Sequence, residues 1–221
     1  MEKIKLLLYC TKSKPYLMNL NTKYFISSDR ESLCYIDKQD MKSIALNGKI
    51  VAECDYEVEK ITAKNIAKYE KESCVDSVSM FKYLKPNVIW GSSFEIMLSS
   101  FGDLTLGYAI HIKNLHIFDE PRELSKYHRP YGCINISCES KAKGKYLGCS
   151  MVRHCKLTQI KQAPQNIMKV ESKIDDEKNY ILISIRPEWL VKILNKEKTI
   201  EIRKKVLKGM IWWKHLNLLW L

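Results

Sequence analysis

The chain has 221 residues, 46% of them hydrophobic, and 37 Lys/Arg against 25 Asp/Glu give it a net charge of +12. That length can bury a proper core, as one domain with an insertion or as one and a half domains. Eight cysteines behind an opening that does not read as an export signal argue against a disulfide framework and for thiols or metal ligands in a reducing compartment, the cytoplasm.

In chain order, Ile4 to Tyr9 reads as a strand, followed by a polar, loop-like region through Asn21 to Asp29 and a short extended piece at Leu33 to Ile36. Asn47-Gly48 is a turn signal, and Lys49 to Tyr56 alternates as a strand. Residues 57–76 are polar and mixed. Val78, Phe81 and Leu84 form one face of a short helix ending before Pro86, and Ser92 or Ser93 caps a second helix that holds Phe94, Ile96, Met97 and Phe101 and stops near Gly102. A strand is expected from Tyr108 to Phe118. Asp119 as N-cap with Pro121 in the first turn then predicts a helix to about Tyr127. Residues 129–155 form a Cys- and Lys-rich insertion without clear period, and the charged 172–179 stretch, lacking apolar anchors, reads as a linker.

The last elements are the clearest. Ile181 to Ile185 is a β-branched run suited to a buried strand, and Pro187 opens a helix whose Trp189, Leu190, Ile193 and Leu194 share one face. Thr199 to Arg203 alternates again, with Ile200 and Ile202 on one side and Thr199, Glu201 and Arg203 on the other. The 206–221 tail is apolar, yet its core of twelve residues, Met210 to Leu221, is too short to span a bilayer and is broken by Lys214 and His215.

Charge is concentrated. Residues 137–170 hold seven Lys/Arg against one Glu, a net +6, and residues 180–205 hold seven against three, a net +4. Such local excess favours phosphate contacts and is the footprint expected of a nucleic-acid binder; a solvated basic face gives the same composition.

The run Tyr180 to Lys205, with its Arg-Pro-Glu-Trp helix and Glu-Lys-Thr-Ile-Glu-Ile-Arg strand, resembles the opening of the activating-signal-cointegrator homology (ASCH) domain, a small PUA-like β-barrel family, in its phage and prophage version. Ile4 to Lys12, Leu46 to Asp55, Gly107 to Leu124 and Lys156 to Gln165 are similar to later landmarks of that family and stand in family order. The opening is displaced to the end, as in a circular permutation; a trimmed tandem pair or a gene-boundary error would give the same string. The resemblance implies an α+β, PUA-like mixed barrel with flanking short helices. Residues 1–171 would form its body, and 180–205 its β-α-β opening.

It also implies a site. In the family the Lys-Thr turn and the following Arg line a cleft, which points to Lys198, Thr199, Glu201 and Arg203, with Glu53 facing them. A Lys and an Arg beside a carboxylate can grip a phosphate or a base edge, so RNA is the expected partner; a Glu201–Arg203 pair on a solvent face is the plainer alternative. Relatives that hydrolyse acetylcytidine use a Lys matching Lys198 and a Thr that falls on Glu201, where a carboxylate cannot act as the same acyl-transfer nucleophile. An enzyme acting on nucleic acid, with Lys198 and Glu201 as catalytic candidates, is the rival expectation. A fragment completed by a second copy through exchange of residues 180–205 is the third.

Cys133, Cys138, Cys149 and Cys155, with His154 adjacent, suit either a zinc ion or free thiols on a basic loop; no other cofactor is expected. Cys10 and Cys54 fall in or beside strands, as core residues do. His111 alternates with Ile110 and Ile112 and reads as structural, while His116 and His128 have no readable partner. Tyr127, Tyr131 and Tyr146, interleaved with Lys and Arg, suit either base stacking or surface packing.

Overall fold

A computed structural model describes residues 4–11, 24–27, 32–36, 43–46, 48–88, 93–129, 160, 162–175 and 178–211, with backbone alone at 24–27, 32–36 and 43–45. The fold is mixed α+β. Its strands are β1 (Lys5–Cys10), β2 (Tyr24–Ser27), β3 (Ser32–Ile36), β4 (Ser43–Ala45), β5 (Lys49–Ile61), β6 (Gly107–Glu123), β7 (Tyr127–His128), β8 (Ile167–Ser172), β9 (Asn179–Ile185) and β10 (Ile200–Arg203). The helices are α1 (Glu70–Ser73), α2 (Ser77–Leu84), α3 (Phe94–Phe101), α4 (Pro187–Leu194) and α5 (Lys208–Ile211). Seven strands hydrogen-bond in the order β10-β6-β5-β1-β9-β8-β7, mostly antiparallel, and β2-β3-β4 form a separate sheet. Among the described residues no helix is long and apolar enough to cross a membrane.

The chain divides into two compact units, one from residues 1–54 and 115–191, the other from residues 55–114 and 192–221. In the first, β9 enters beside β1 in parallel, Lys5 opposite Tyr180 through Cys10 opposite Ile185. β1 is paired on both edges, and Leu6, Leu7 and Leu8, which alternate between its two faces, are all fully buried, so both faces are covered. This explains why both strands read as unbroken apolar runs rather than alternating ones. Leu7, Ile50, Phe118, Tyr127, Val170, Tyr180 and Leu182 share one core cluster.

The expected linker is instead a hairpin connection. β8 pairs with β9 up to Glu171 opposite Asn179, and the Ser172 hydroxyl accepts from the backbone N–H of Ile174 and Asp175 at 3.1 and 2.9 Å. Ser172 and Asp175 are turn formers, and Lys178 N–H donates to the Asp175 carbonyl at 2.8 Å. Arg122 reaches over to this turn, giving Asp175 a 2.8 Å ion pair while its guanidinium lies 3.9 Å from the Phe118 ring centre. Arg122 can do so because no helix starts at Asp119: β6 runs on to Glu123, and only a single 3-10 turn, Leu124–Lys126, follows. Proline fixes φ in a range that the first helical turn shares with extended chain, so Pro121 did not discriminate between them.

In the second unit, β5 continues to Ile61, five residues past the expected end. Its extension is polar on one face because Glu57 and Glu59 pair with Lys113 and His111 at 2.8 and 3.2 Å. α3 begins as expected, Ser93 accepting from Ile96 N–H at 3.5 Å, and α2 is capped by Asp76, which accepts from Ser79 N–H at 2.8 Å. Their apolar faces join Ile61, Leu106, Ala109, Ile200 and Ile202 in the second core cluster. β10 lies antiparallel to β6, with Ile200 opposite His111 and Arg203 opposite Tyr108. The 180–205 segment therefore finds its strand partners within its own chain.

Candidate functional site

Three of the residues singled out at β10 come together, in the interior. The backbone N–H groups of Glu197 and Lys198 both donate to the Lys192 carbonyl at 2.9 and 3.1 Å, with Lys196 in the left-handed region between them and the end of α4 (φ 64°). Thr199 N–H then donates to the Glu72 carbonyl at 2.9 Å and its carbonyl accepts from Ile112 N–H at 2.8 Å, which sets the register of β10. Lys198, 3% exposed, donates to the Ser73 carbonyl at 2.7 Å and lies 3.5 Å from the Glu201 carboxylate; Arg203 meets the other Glu201 oxygen at 3.0 Å. Burial lowers the Lys198 ammonium below the ordinary lysine range, and the Glu201 carboxylate opposes that shift. The alternation of β10 suggested a half-buried strand with one polar face, but Glu201 and Arg203 are also buried, at 7% and 9% exposure. Chemically this is an ion triad that holds β10 to the end of α1; the Thr199 side chain is exposed.

Glu53 has other partners: Lys5 at 2.6 Å and His116 at 4.0 Å. Cys133, Cys138, Cys149, Cys155, His154, Tyr131 and Tyr146 lie outside the described residues. Within the described residues no group of three or more His, Cys, Asp or Glu side chains could hold a metal ion. Tyr127 is fully buried, edge-on to Tyr180 with ring centres 6.2 Å apart, and accepts from Arg122 at 3.2 Å, so it packs in the core and offers no ring to a base. His128, also buried, lies 2.8 Å from Glu171 across the β7–β8 pair.

His111 does point away from its apolar neighbours. It meets Glu59 at 3.2 Å and the edge of Tyr69, while Lys68 reaches the same carboxylate at 2.9 Å. Burial pushes the Glu59 carboxyl up, but hydrogen bonds from Lys68, Tyr69 and His111 outweigh it and bring the pKa below the usual value.

Among the described residues, an opening lies just past the triad. Where the chain leaves β10, Lys204 and Lys205 join Lys85 at the end of α2 around a pocket of about 410 Å³. Thr105, Tyr108, Leu84, Leu106 and Val206 complete its wall, and no carboxylate lines it. The Lys85 and Lys204 ammonium groups lie 5.8 and 5.1 Å from the ring centres of Phe101 and Tyr83. Gly107 makes the close approach behind it: a Cβ there would collide with the Leu84 side chain and stand 2.9 Å from the Arg203 carbonyl. Sequence reasoning singled out Arg203, counted Lys204 and Lys205 only within the basic 180–205 stretch, and did not single out Lys85, Thr105 or Tyr108. The one local signal was Lys85 preceding Pro86, the point at which α2 must stop.

No protein-family model, curated protein or solved structure matches the chain.

Proposed function

We propose that this is an RNA-binding module of the ASCH, PUA-like type, working in the cytoplasm, whose contact surface is the basic rim beyond β10. The observation that carries this reading is the pocket walled by Lys85, Lys204 and Lys205 with no carboxylate among its lining residues. None of these three lysines is held in an ion pair among the described residues. Ammonium groups so placed gain by exchanging counterions for phosphates, which gives affinity without base sequence. Lys198, Glu201 and Arg203 enter as the buried brace that fixes where β10 ends and therefore where Lys204 and Lys205 start.

Anisotropy of a labelled single-stranded RNA, titrated with the full chain over a range of salt, tests the reading. Binding should weaken steeply with salt, and the double variant Lys204→Glu, Lys205→Glu should flatten the log–log slope by about 1.4, at roughly 0.7 per lost phosphate contact on a single strand. Affinity that is absent at low salt, or a slope unmoved by the double variant, refutes it.

A further inference from the structure

We infer that the pocket beyond β10 takes one unpaired nucleotide as a unit, its phosphate among Lys85, Lys204 and Lys205 and its base against Tyr108 and the apolar wall. This rests on the RNA reading and narrows it to a ligand class. The lining residues divide into two chemistries: three lysines with Thr105, and Leu84, Leu106 and Val206 with the half-buried Tyr108. A bare phosphate would satisfy the first and leave Tyr108 and Val206, the half-buried part of the second, uncovered. A nucleoside would cover the second and leave three like charges without a counter-ion. A nucleotide joins an anion to a flat apolar ring system and meets both, with ring stacking that tolerates any base.

Size agrees with this. At about 410 Å³ the pocket lies in the range of roughly 300–1,000 Å³ typical of small-molecule sites. An A-form duplex, whose bases are stacked inward and whose phosphates run along an extended surface, has nothing to place in it. The wall is also braced. Gly107 leaves room for both Leu84 and the Arg203 carbonyl beside β6, Glu201 holds the Arg203 side chain, and the lysines lie within two residues of a regular element.

The same chemistry is offered by a free nucleotide and by a residue of a single-stranded RNA, and competition separates them. The full chain bound to labelled single-stranded RNA is challenged with adenosine 5′-monophosphate, adenosine, inorganic phosphate and duplex RNA. The monophosphate should displace the label at about tenfold lower concentration than phosphate or adenosine, and unlabelled single strand should outcompete duplex. Lys85→Ala, at the end of α2, should weaken the monophosphate by about tenfold with an unchanged melting curve. A monophosphate no better than inorganic phosphate overturns the inference, and salt-dependent RNA binding would then stand as a plain basic rim. If the full chain binds no RNA, direct titration with the monophosphate decides: saturable binding lost in Lys85→Ala upholds the pocket with a free nucleotide as its ligand, and its absence overturns the inference along with the RNA reading.

Discussion

Replacing Glu201 by Gln keeps the shape of the ion triad and deletes its only negative charge. Lys198 is 3% exposed and the Arg203 side chain 10%, so solvent does little to screen what remains. Two buried cations would face each other without the carboxylate that now touches both, at 3.5 and 3.0 Å. Removing one partner of a buried pair costs about 3–5 kcal/mol. With a urea m-value of about 2–3 kcal/mol/M, the midpoint should fall by between about 1 and 2.5 M. Lys198→Met is the internal control. It removes one buried cation together with its hydrogen bond to Ser73 and its 3.5 Å contact with Glu201, but leaves Glu201 paired with Arg203, so the cost is about 1–3 kcal/mol before the regained desolvation is subtracted. It should therefore lose less than Glu201→Gln. Because the Lys198 pKa is lowered on folding, the unfolded chain binds more protons between the folded pKa and the free lysine value of about 10.4, and this group makes stability rise with pH in that window. The rise should vanish in Lys198→Met and begin at lower pH in Glu201→Gln. A midpoint shift below about 0.5 M for Glu201→Gln, or an equal loss in Lys198→Met, would refute the view of β10 as braced by charge.

Two further measurements probe the frame of the pocket. Gly107→Ala must displace Leu84 or part β10 from β6, and should cost about 1–3 kcal/mol in thermal melts and weaken RNA binding together; a neutral variant would mean that the two strands can separate freely there. Burial holds the Tyr56 phenol up at about 12 and raises Tyr69 and Tyr180 in the same direction. Each such group contributes stability that is complete below the free phenol value of about 10 and lost as pH climbs through the folded pKa. Tyr56→Phe should accordingly flatten the alkaline limb of the stability profile between about pH 10 and 12, and an unchanged limb would show the ring to be wet.

How much of this was legible depended on whether a residue's neighbours in sequence are also its neighbours in space. α4 and β9 were readable because their apolar residues repeat at 3.6 and in an unbroken run, patterns set by the element itself. The far half of β5 was not, since Glu57 and Glu59 look like loop residues until Lys113 and His111 stand across from them. Asp119-x-Pro121 is an equally good start for a helix or continuation of a strand, and the choice went to the strand, where Arg122 reaches Asp175 and the Phe118 ring. At the site, the residue types Lys198, Glu201 and Arg203 were found, but their alternation suggested one open face. The side that should have been open is closed by the carbonyl of Ser73, 125 residues earlier in the chain. Lys85 and Lys204 lie far apart in sequence, and spacing alone could not have placed them around one pocket.

The parallel pairing of β1 with β9 also bears on how the chain is made. β1 leaves the ribosome well before β9, the strand that covers one of its edges and lies some 170 residues later. Until residues 179–185 emerge, Leu6, Leu7 and Leu8 present an apolar strand with one row of amide groups open to any other chain. Synthesis that stalls or is cut short before that point should leave a sticky nascent product, so chaperone demand in the cell is expected to follow the length of the ribosome-bound fragment, falling once β9 has been released.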